Sequence, residues 1–340
     1  MIAVKTLILT EKDVKRLLSM EEVLEAVELA FAEQGMNRTQ VPPRIYLFYQ
    51  KYNGDLRAMP SYLEGLDISA VEIQNVHENN RTKFKLPTAM ATVIMVEPKN
   101  GSPIAIIGGT YIADMRTGAA GGVAARHLAR KESRAVALIG AGAQAKTQLM
   151  GLLSIYGSLE EVKVWSRTKQ SCEDFLEETK EEYGKRIGKL VPVERAEDAV
   201  RGVDIVVTTT PSKAPVLFDD WIRPGVHVNC IGADAPGKQE LDPAILKRAK
   251  VVVDNWEQAS HSGEISLPLA QGVLKQEDVW AELGQIVAGL KSGRTNNEEI
   301  TVFISTGLAT QTAVTANIAY KKAMAHGLGQ MIELLQQDSN

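Results

Sequence analysis

One short segment constrains the fold of this chain more than any other. The apolar residues 136–139 predict a buried strand, and the pattern G-x-G-x-x-A follows at once, formed by Gly140, Gly142 and Ala145 ahead of a predicted helix. In such a context the first glycine permits a tight turn, and the second lets the backbone approach a pyrophosphate. The small third residue lets the helix pack on the strand, with its positive dipole end toward the phosphates. The segment therefore predicts a dinucleotide-binding turn, and a turn that serves packing alone is the alternative.

Predicted strands and helices alternate from about residue 118 onward. Helical patterns separate several of the apolar runs, which lie at residues 136–139, 162–165, 205–207, 227–231 and 251–254. This alternation is typical of a doubly wound parallel sheet with helices on both faces. The predicted fold class is therefore α/β, with a Rossmann-type parallel sheet in the second part of the chain.

The amino-terminal part of the chain has a different pattern. Thr10 is followed three positions later by Asp13, and Ser19 is followed three positions later by Glu22. A hydroxyl residue followed by an acid at this spacing is typical of a helix start, so two successive helices are predicted. Apolar runs flank the Asn-Gly dipeptides at 53–54 and 100–101, and this arrangement predicts two hairpins. The segment up to about residue 115 is thus predicted to be an α+β unit with an antiparallel or mixed sheet, and a last helix is predicted at about 313–335.

The composition argues against several classes of function. The 340 residues include 38 Lys and Arg against 42 Asp and Glu, with no basic stripe interleaved with aromatics, so no nucleic-acid partner is predicted. Cys172 and Cys230 are far apart and the five histidines are scattered, so neither a disulfide framework nor a metal site is predicted. No apolar stretch reaches the ~18–20 residues of a membrane span, and the first apolar run lacks the length of a signal core. A cytoplasmic protein with no membrane partner is the expectation.

The residues after the second predicted strand bear on which dinucleotide binds. An acidic residue there would accept hydrogen bonds from the adenosine ribose, whereas this chain has Ser166, Arg167 and Thr168, which suit a 2′-phosphate. NADP(H) is therefore favoured over NAD(H); in the alternative, Ser166 or Thr168 caps the next helix and Arg167 is solvated. The residues predicted to contact the cofactor are Gly140, Gly142, Ala143, Gln144, Ala145, Ser166, Arg167, Thr168, Thr209, Thr210, Pro211, Gly232 and Ala233.

Three further stretches carry polar residues that neither strand alternation nor helix packing requires. Arg44 and Arg116, from separate segments, could clamp a carboxylate bidentately. Asp234 follows a predicted strand end, at the edge where a doubly wound sheet presents its chemistry, and Lys238 either orients it or is simply exposed. Taken singly, each of these residues is more often part of a surface ion pair.

Together these segments resemble the ornithine cyclodeaminase/μ-crystallin family, and within it most of all the archaeal-type alanine dehydrogenases. The resemblance runs nearly from end to end. It is carried by MPSYL (59–63), NVHENN (75–80), LPTAMAT (86–92), RTGAAGG (116–122), IGAGAQA (139–145), TTTPS (208–212), IGADAPGKQELD (231–242), HSGEI (261–265) and STGLA (305–309).

The resemblance implies an NAD(P)H-dependent oxidoreductase that acts on C–N bonds, by reductive amination of a 2-oxo acid or by reduction of an imine. It implies a Rossmann dinucleotide-binding domain at 118–312 and a substrate-binding and dimerisation domain at 1–117 with 313–340, in a homodimer. Arg44 and Arg116 would bind the substrate α-carboxylate, and Asp234 would exchange a proton with the amino or imine group. The alternatives are an ornithine or lysine cyclodeaminase and an NADPH-dependent binding protein like μ-crystallin.

Three positions depart from the family pattern. Glu72 stands where many relatives have a lysine that approaches the substrate, and Thr312 stands where many have an aspartate. Glu72 is therefore included in the catalytic set, either facing a cationic amine or acting as a general base; the alternatives are a solvated strand residue and a change that disables or redirects a parent activity. Arg57 replaces an acidic residue of the cyclodeaminases, which counts against ornithine cyclisation.

Three other polar residues near these motifs are left out of the catalytic set. His261 and Glu264 could touch the nicotinamide end of the site, but a structural turn accounts for them at least as well. His77 is interpreted as a local hydrogen-bonding residue rather than a base.

Overall fold

The chain consists of two compact units, each built around its own sheet. The computed structural model describes residues 3–336. The first unit comprises the described residues up to Arg116 and those from Leu308 onward, and the second comprises Thr117–Gly307.

The described strands and helices are numbered here in chain order. The strands are β1 Ala3–Leu9, β2 Thr39–Gln40, β3 Ile45–Tyr49, β4 Gly54–Leu63, β5 Ile68–His77, β6 Ala89–Val96, β7 Pro103–Gly108, β8 Ala135–Ile139, β9 Leu159–Trp165, β10 Ile187–Pro192, β11 Ile205–Thr208, β12 Lys213–Leu217, β13 His227–Cys230, β14 Gln239–Leu241, β15 Lys250–Val253, β16 Val279–Glu282, β17 Thr301–Ile304 and β18 Gln330–Gln336. The helices are α1 Glu11–Leu17, α2 Met20–Gly35, α3 Asn80–Lys83, α4 Thr110–Leu128, α5 Ala143–Tyr156, α6 Lys169–Tyr183, α7 Ala196–Val200, α8 Pro243–Arg248, α9 Trp256–Ser262, α10 Ser266–Ala270, α11 Leu283–Val287 and α12 Ala309–His326.

The sheet of the first unit is mixed, as the sequence predicts. Its strand order is β18-β1-β7-β6-β5-β4-β2, and β3 also pairs with β4. Only β1 and β7 pair in parallel; the other neighbours among the described strands are antiparallel. Both predicted hairpins are confirmed, and Asn53 adopts the left-handed φ of 49° that the first one needs to turn. Helix α12 packs against β4, β5 and β6.

Both predicted helix starts are confirmed as capping boxes. The hydroxyls of Thr10 and Ser19 accept from the backbone N–H three residues on, and Asp13 and Glu22 accept from the cap backbone in return. Each box satisfies two backbone donors that a helix amino terminus otherwise leaves without a partner.

The prediction of one helix at 313–335 is wrong in its extent. Helix α12 ends at His326, Gly327 takes a left-handed φ of 63°, and β18 then pairs antiparallel with β1. The apolar residues within 331–335 belong to an edge strand of the sheet. Over so short a segment, their spacing happens to fit a helical period as well.

The sheet of the second unit is a parallel, doubly wound sheet, and the predicted fold class is confirmed. Its strand order is β10-β9-β8-β11-β13-β17-β15-β16. Alternate residues of β8 and β11 enter one of two apolar clusters; in β8, Ala137 and Ile139 pack on one side while Val136 and Leu138 pack on the other. Burial on both faces explains why these strands appear in sequence as continuous apolar runs. Among the described residues, no helix has the length and apolar character needed to cross a bilayer.

Candidate active site

The turn after β8 has the geometry of a phosphate cradle. Gly140 has a φ of +118°, and a Cβ there would lie 2.4 Å from Thr209 Oγ1, so only glycine fits. Gly142 is the N-cap residue of α5, with an ordinary φ of −99°, and a Cβ there would meet no atom within 4 Å. Neither backbone strain nor packing thus explains the second glycine, whereas close approach of a ligand does. The amino terminus of a fourteen-residue helix bordering open space fits a pyrophosphate.

The predicted cofactor residues lie in four loops at one edge of the sheet and in the first turn of α5. These loops follow β9, β8, β11 and β13, which are consecutive neighbours, and the chain reverses its direction of winding at β8. Gly140 N donates to Trp165 O at 2.8 Å and Thr209 N donates to Ile139 O at 2.9 Å, so the loops are joined laterally. The structure therefore brings these residues together at the switch point where such sheets bind ligands.

In the loop after β9, the alternative in which Thr168 caps the next helix is wrong. Thr168 occupies the N-cap position of α6, but its hydroxyl donates to Ser171 Oγ at 2.6 Å and makes no capping bond to the backbone. Arg167 is exposed, and no acidic side chain lies between Trp165 and Lys169. Among the described residues Arg167 forms no ion pair, so a phosphate could reach its guanidinium group without breaking one.

A buried carboxylate that the sequence did not single out, Glu240, lies beneath two of these loops. It accepts hydrogen bonds from Thr208, Thr210 and Gly232. Burial raises the pKa of Glu240, and the backbone and hydroxyl donors oppose this shift. The residue sits in the segment KQELD, where it resembles any other acid on a short strand.

Glu264 proves to be part of the same buried cluster. Its carboxylate accepts from Glu240 N at 2.9 Å and from Leu241 N at 2.8 Å, and burial raises its pKa to about 8. Ligand atoms of Cys230, Glu240 and Glu264 lie within 4.8 Å of one another. The carboxylate oxygens are already engaged by N–H and O–H donors, which is the chemistry of a structural network.

Asp234 and Lys238 form an ion pair beyond the end of β13. Lys238 Nζ lies 2.6 Å from Asp234 Oδ1 and also donates to Gly232 O at 3.3 Å. The Asp234 side chain is 31% exposed, so a ligand can reach it. Of the two roles open to Lys238, orientation of Asp234 is the one that the contacts fit.

The two arginines of the predicted carboxylate clamp belong to the first unit. Arg44 lies half-buried just before β3, and Arg116 is 6% exposed in the second turn of α4. Glu11 binds the amino terminus of α4, because its carboxylate accepts from Thr110 N at 2.6 Å and Tyr111 N at 3.1 Å. Burial raises the pKa of Asp114, which precedes Arg116 by two residues, to about 6, and the Arg116 charge opposes this shift.

The interpretation of Glu72 as a solvated strand residue is wrong. Glu72 is 1% exposed in the middle of β5, between Met59 of β4 and Val93 of β6. Thr312 Oγ1 of α12 donates to Glu72 Oε2 at 2.5 Å, and Oε1 has no hydrogen-bond partner among the described residues. The two positions that depart together from the family pattern are therefore in direct contact.

The remaining polar residues have local roles. Arg57 pairs with Asp55 at 3.0 Å. His77 stacks on Tyr49 with ring centroids 5.8 Å apart. His261 lies exposed near the end of α9, where Nδ1 bonds to the carbonyl oxygen of Glu257 at 2.7 Å.

Comparison with known proteins confirms the resemblance seen in the sequence. The model of the ornithine cyclodeaminase/mu-crystallin family matches residues 4–327. The chain is 44% identical to the alanine dehydrogenase of Archaeoglobus fulgidus, over 98% of this chain and 99% of that protein.

Solved structures match over nearly the whole chain as well. A structure of an archaeal alanine dehydrogenase dimer with bound NAD matches with a TM-score of 0.92 and 44% identity, covering 97% of this chain and all of that one (100%). The Thermococcus litoralis Delta(1)-pyrroline-2-carboxylate reductase, in complex with NADH and L-proline, matches with a TM-score of 0.91 and 40% identity, covering 96% of this chain and 99% of that one.

Proposed function

Because the chain belongs to the ornithine cyclodeaminase/mu-crystallin family, we propose that it is a nicotinamide-dependent oxidoreductase acting on C–N bonds. Its reaction is the reductive amination of a 2-oxo acid, as in an alanine dehydrogenase, or the reduction of an imine. The observation that carries the proposal is the glycine turn at Gly140–Gly142, which opens on free space at the helix amino terminus and adjoins the strand ends that lead to Asp234.

The second unit binds the dinucleotide in this proposal. The pyrophosphate lies against Gly142 and the first residues of α5, and the nicotinamide, when bound, supplies or accepts the hydride. Ser166, Arg167 and Thr168 receive the adenosine ribose, and their lack of a carboxylate favours NADP(H) over NAD(H). NAD and NADH are the dinucleotides in the two similar structures, so direct competition between the two cofactors must decide this preference.

Arg44 and Arg116 bind the substrate α-carboxylate, for which two guanidinium groups provide a bidentate clamp. Asp234, oriented by Lys238, exchanges a proton with the substrate nitrogen, as the donor to an imine and as the acceptor from an amine. Glu72 faces a cationic amine or acts as a general base through the oxygen that Thr312 does not engage. This assignment gives the four predicted catalytic residues three roles, with the two arginines sharing one of them.

The first unit binds substrate and forms a homodimer in this proposal. The edge strand β3 presents three large apolar side chains to solvent: Ile45 is 60% exposed, Leu47 53% and Phe48 67%. Large exposed apolar side chains grouped on an edge strand are typical of a protein interface. Location in the cytoplasm stays a prediction.

A second candidate function is a dinucleotide-dependent binding protein. The burial of Glu72 favours it, because a buried acidic side chain where many relatives have a lysine opposes the binding of a substrate carboxylate. For a cyclodeaminase, the third possibility, the ion pair of Arg57 with Asp55 is unfavourable, since relatives of that type carry an acid at position 57.

The test follows the absorbance of the reduced nicotinamide with NADH and NADPH in parallel. The substrates are 2-oxo acids with ammonia or methylamine, and cyclic imines that carry a carboxylate. We expect cofactor oxidation with at least one of them, and a gain for small 2-oxo acids of about tenfold or more in Glu72→Lys, since that variant restores a cation beside the substrate carboxylate.

Three other outcomes would contradict the proposal or a part of it. Tight NADPH binding without turnover over the whole panel would select the binding protein. Release of ammonia from ornithine without net cofactor reduction would select the cyclodeaminase. Equal activity of Glu72→Lys and the natural chain would remove Glu72 from the substrate site.

A further inference from the structure

The Glu240 carboxylate joins two loops that follow different strands. Its Oε1 accepts from Thr210 N at 2.6 Å and from Thr210 Oγ1 at 2.7 Å, in the loop after β11. Its Oε2 accepts from Gly232 N at 2.8 Å, in the loop after β13, and from Thr208 Oγ1 at 2.8 Å. Three donors from two loops and one from the end of β11 thus converge on one fully buried side chain.

These loops are in direct contact above Glu240. A Cβ on Gly232 would lie 2.2 Å from Thr210 O and 2.7 Å from Glu240 Cδ, so no side chain fits there. From below, Glu264 accepts from the backbone N–H groups of Glu240 and Leu241 and fixes the strand that carries Glu240. The carboxylate is held in one place and in turn determines the spacing of the loops.

A carboxylate is the side chain that this position requires. Each of its oxygens can accept two hydrogen bonds, so one ionised group satisfies all four donors. Glutamine has one acceptor oxygen, and its NH₂ group would face the N–H and O–H donors of one loop. An apolar side chain would take the acceptor from the buried backbone N–H of Thr210 and leave Gly232 N with only its longer bond to Thr208 O, at 3.2 Å.

The sheet order indicates which half of the dinucleotide these loops meet. The pyrophosphate lies at the turn after β8 and the adenosine on the β9 side, so β11 and β13, on the other side of β8, face the nicotinamide half. We infer that Glu240 is a positioning residue for the nicotinamide half of the cofactor, acting through Thr209–Pro211 and Gly232–Ala233. This inference rests on the proposed function, because it presupposes that a dinucleotide binds at this edge.

The experiment compares a whole dinucleotide with its adenosine half. Binding of NADH or NADPH is measured by fluorescence. Binding of ADP-ribose is measured by calorimetry, and its 2′-phosphate takes its place if the chain prefers NADPH. For Glu240→Gln we expect the Kd of the dinucleotide to rise about tenfold or more, as for the loss of a well-formed polar contact, and that of ADP-ribose to change less than about twofold. Thr208→Val keeps the side-chain volume and removes one donor, so it shifts the same Kd in the same direction by a smaller factor.

Val206→Ala is the matched control, since it weakens the core under β11 and touches no hydrogen bond of Glu240. It should leave both Kd values unchanged. Equal weakening of both ligands in Glu240→Gln would mean a general effect on the fold, and no weakening would mean that Glu240 does not position the cofactor; either result overturns the inference. If Glu240→Gln does not fold, Thr208→Val decides alone. Failure of the natural chain to bind any dinucleotide would instead refute the proposed function, and the inference with it.

Discussion

Lys238 and Asp234 form an ion pair 2.6 Å long, between residues four positions apart. We expect Lys238→Met to lower kcat roughly tenfold, because the Asp234 carboxylate loses the group that orients it. Steady-state kinetics with the best substrate of the panel measure this effect. Arg201→Met removes a comparable ion pair, to Glu197 at 2.7 Å, at a distance from the strand ends and is the control. Equal activity of the two variants would show that Lys238 has no part in the reaction.

Asp114 gives the first unit a pH-dependent stability. Its pKa is about 6 in the folded chain against an ordinary value of 3.8, so between these values the folded chain holds a proton that the unfolded chain has released. The free energy of unfolding therefore falls as the pH rises through this window, by about 1–2 kcal/mol after allowance for partial exposure. Asp114→Asn should match the natural chain near pH 4 and exceed it by that amount at pH 8.

Urea denaturation at several pH values measures this difference. Asp220→Asn, which removes an exposed carboxylate, serves as the control and should run parallel to the natural chain. A difference between Asp114→Asn and the natural chain that is the same at pH 4 and pH 8 would refute the assignment.

The sequence predicted the residues that belong to a motif of fixed spacing, but it did not predict the buried polar residues that are defined by their three-dimensional contacts. Gly140 and Gly142 carry a fixed spacing between a strand and a helix, so the tight turn at Gly140 and the open approach to Gly142 follow from the sequence. Glu240 on a short strand and Glu264 in a turn carry no such pattern, since acids at such positions are usually solvated. Only three-dimensional contacts distinguish these two from ordinary surface acids. The contact between Glu72 and Thr312, 240 positions apart, was likewise outside the reach of a single sequence.

At the scale of elements, the sequence predicted best where a period and a turn signal agree. The hairpins at Asn53 and Gly101 and the strand β8 combine apolar runs with glycine or asparagine turns, and all are confirmed. The edge strand β10 was missed because its residues 188–192 are all exposed or half-buried, so it lacks a continuous apolar run. At the carboxyl end, the turn after His326 was missed because the apolar residues beyond it matched a helical period.

At the scale of the whole molecule, the exposed apolar side chains of the edge strand β3 predict self-association. We expect the natural chain to sediment as a dimer and Phe48→Glu to sediment as a monomer, because a buried charge on each subunit would oppose the apolar contact. Sedimentation velocity measures both. Leu290→Glu, at a side chain 65% exposed in the second unit, is the control and should remain dimeric. A dimeric Phe48→Glu variant would show that Phe48 of β3 does not lie in the interface.

The central claim is that a hydride passes between the nicotinamide and the α-carbon of the substrate. The most direct measurement supplies the chain with NADPH or NADH deuterated at the transferring position, together with a 2-oxo acid and ammonia or a cyclic imine, and locates the label by mass spectrometry and NMR. We predict one deuterium on the α-carbon of the amino or imino acid formed. A product without the label, or a bound dinucleotide that transfers nothing to any substrate of the panel, would contradict it.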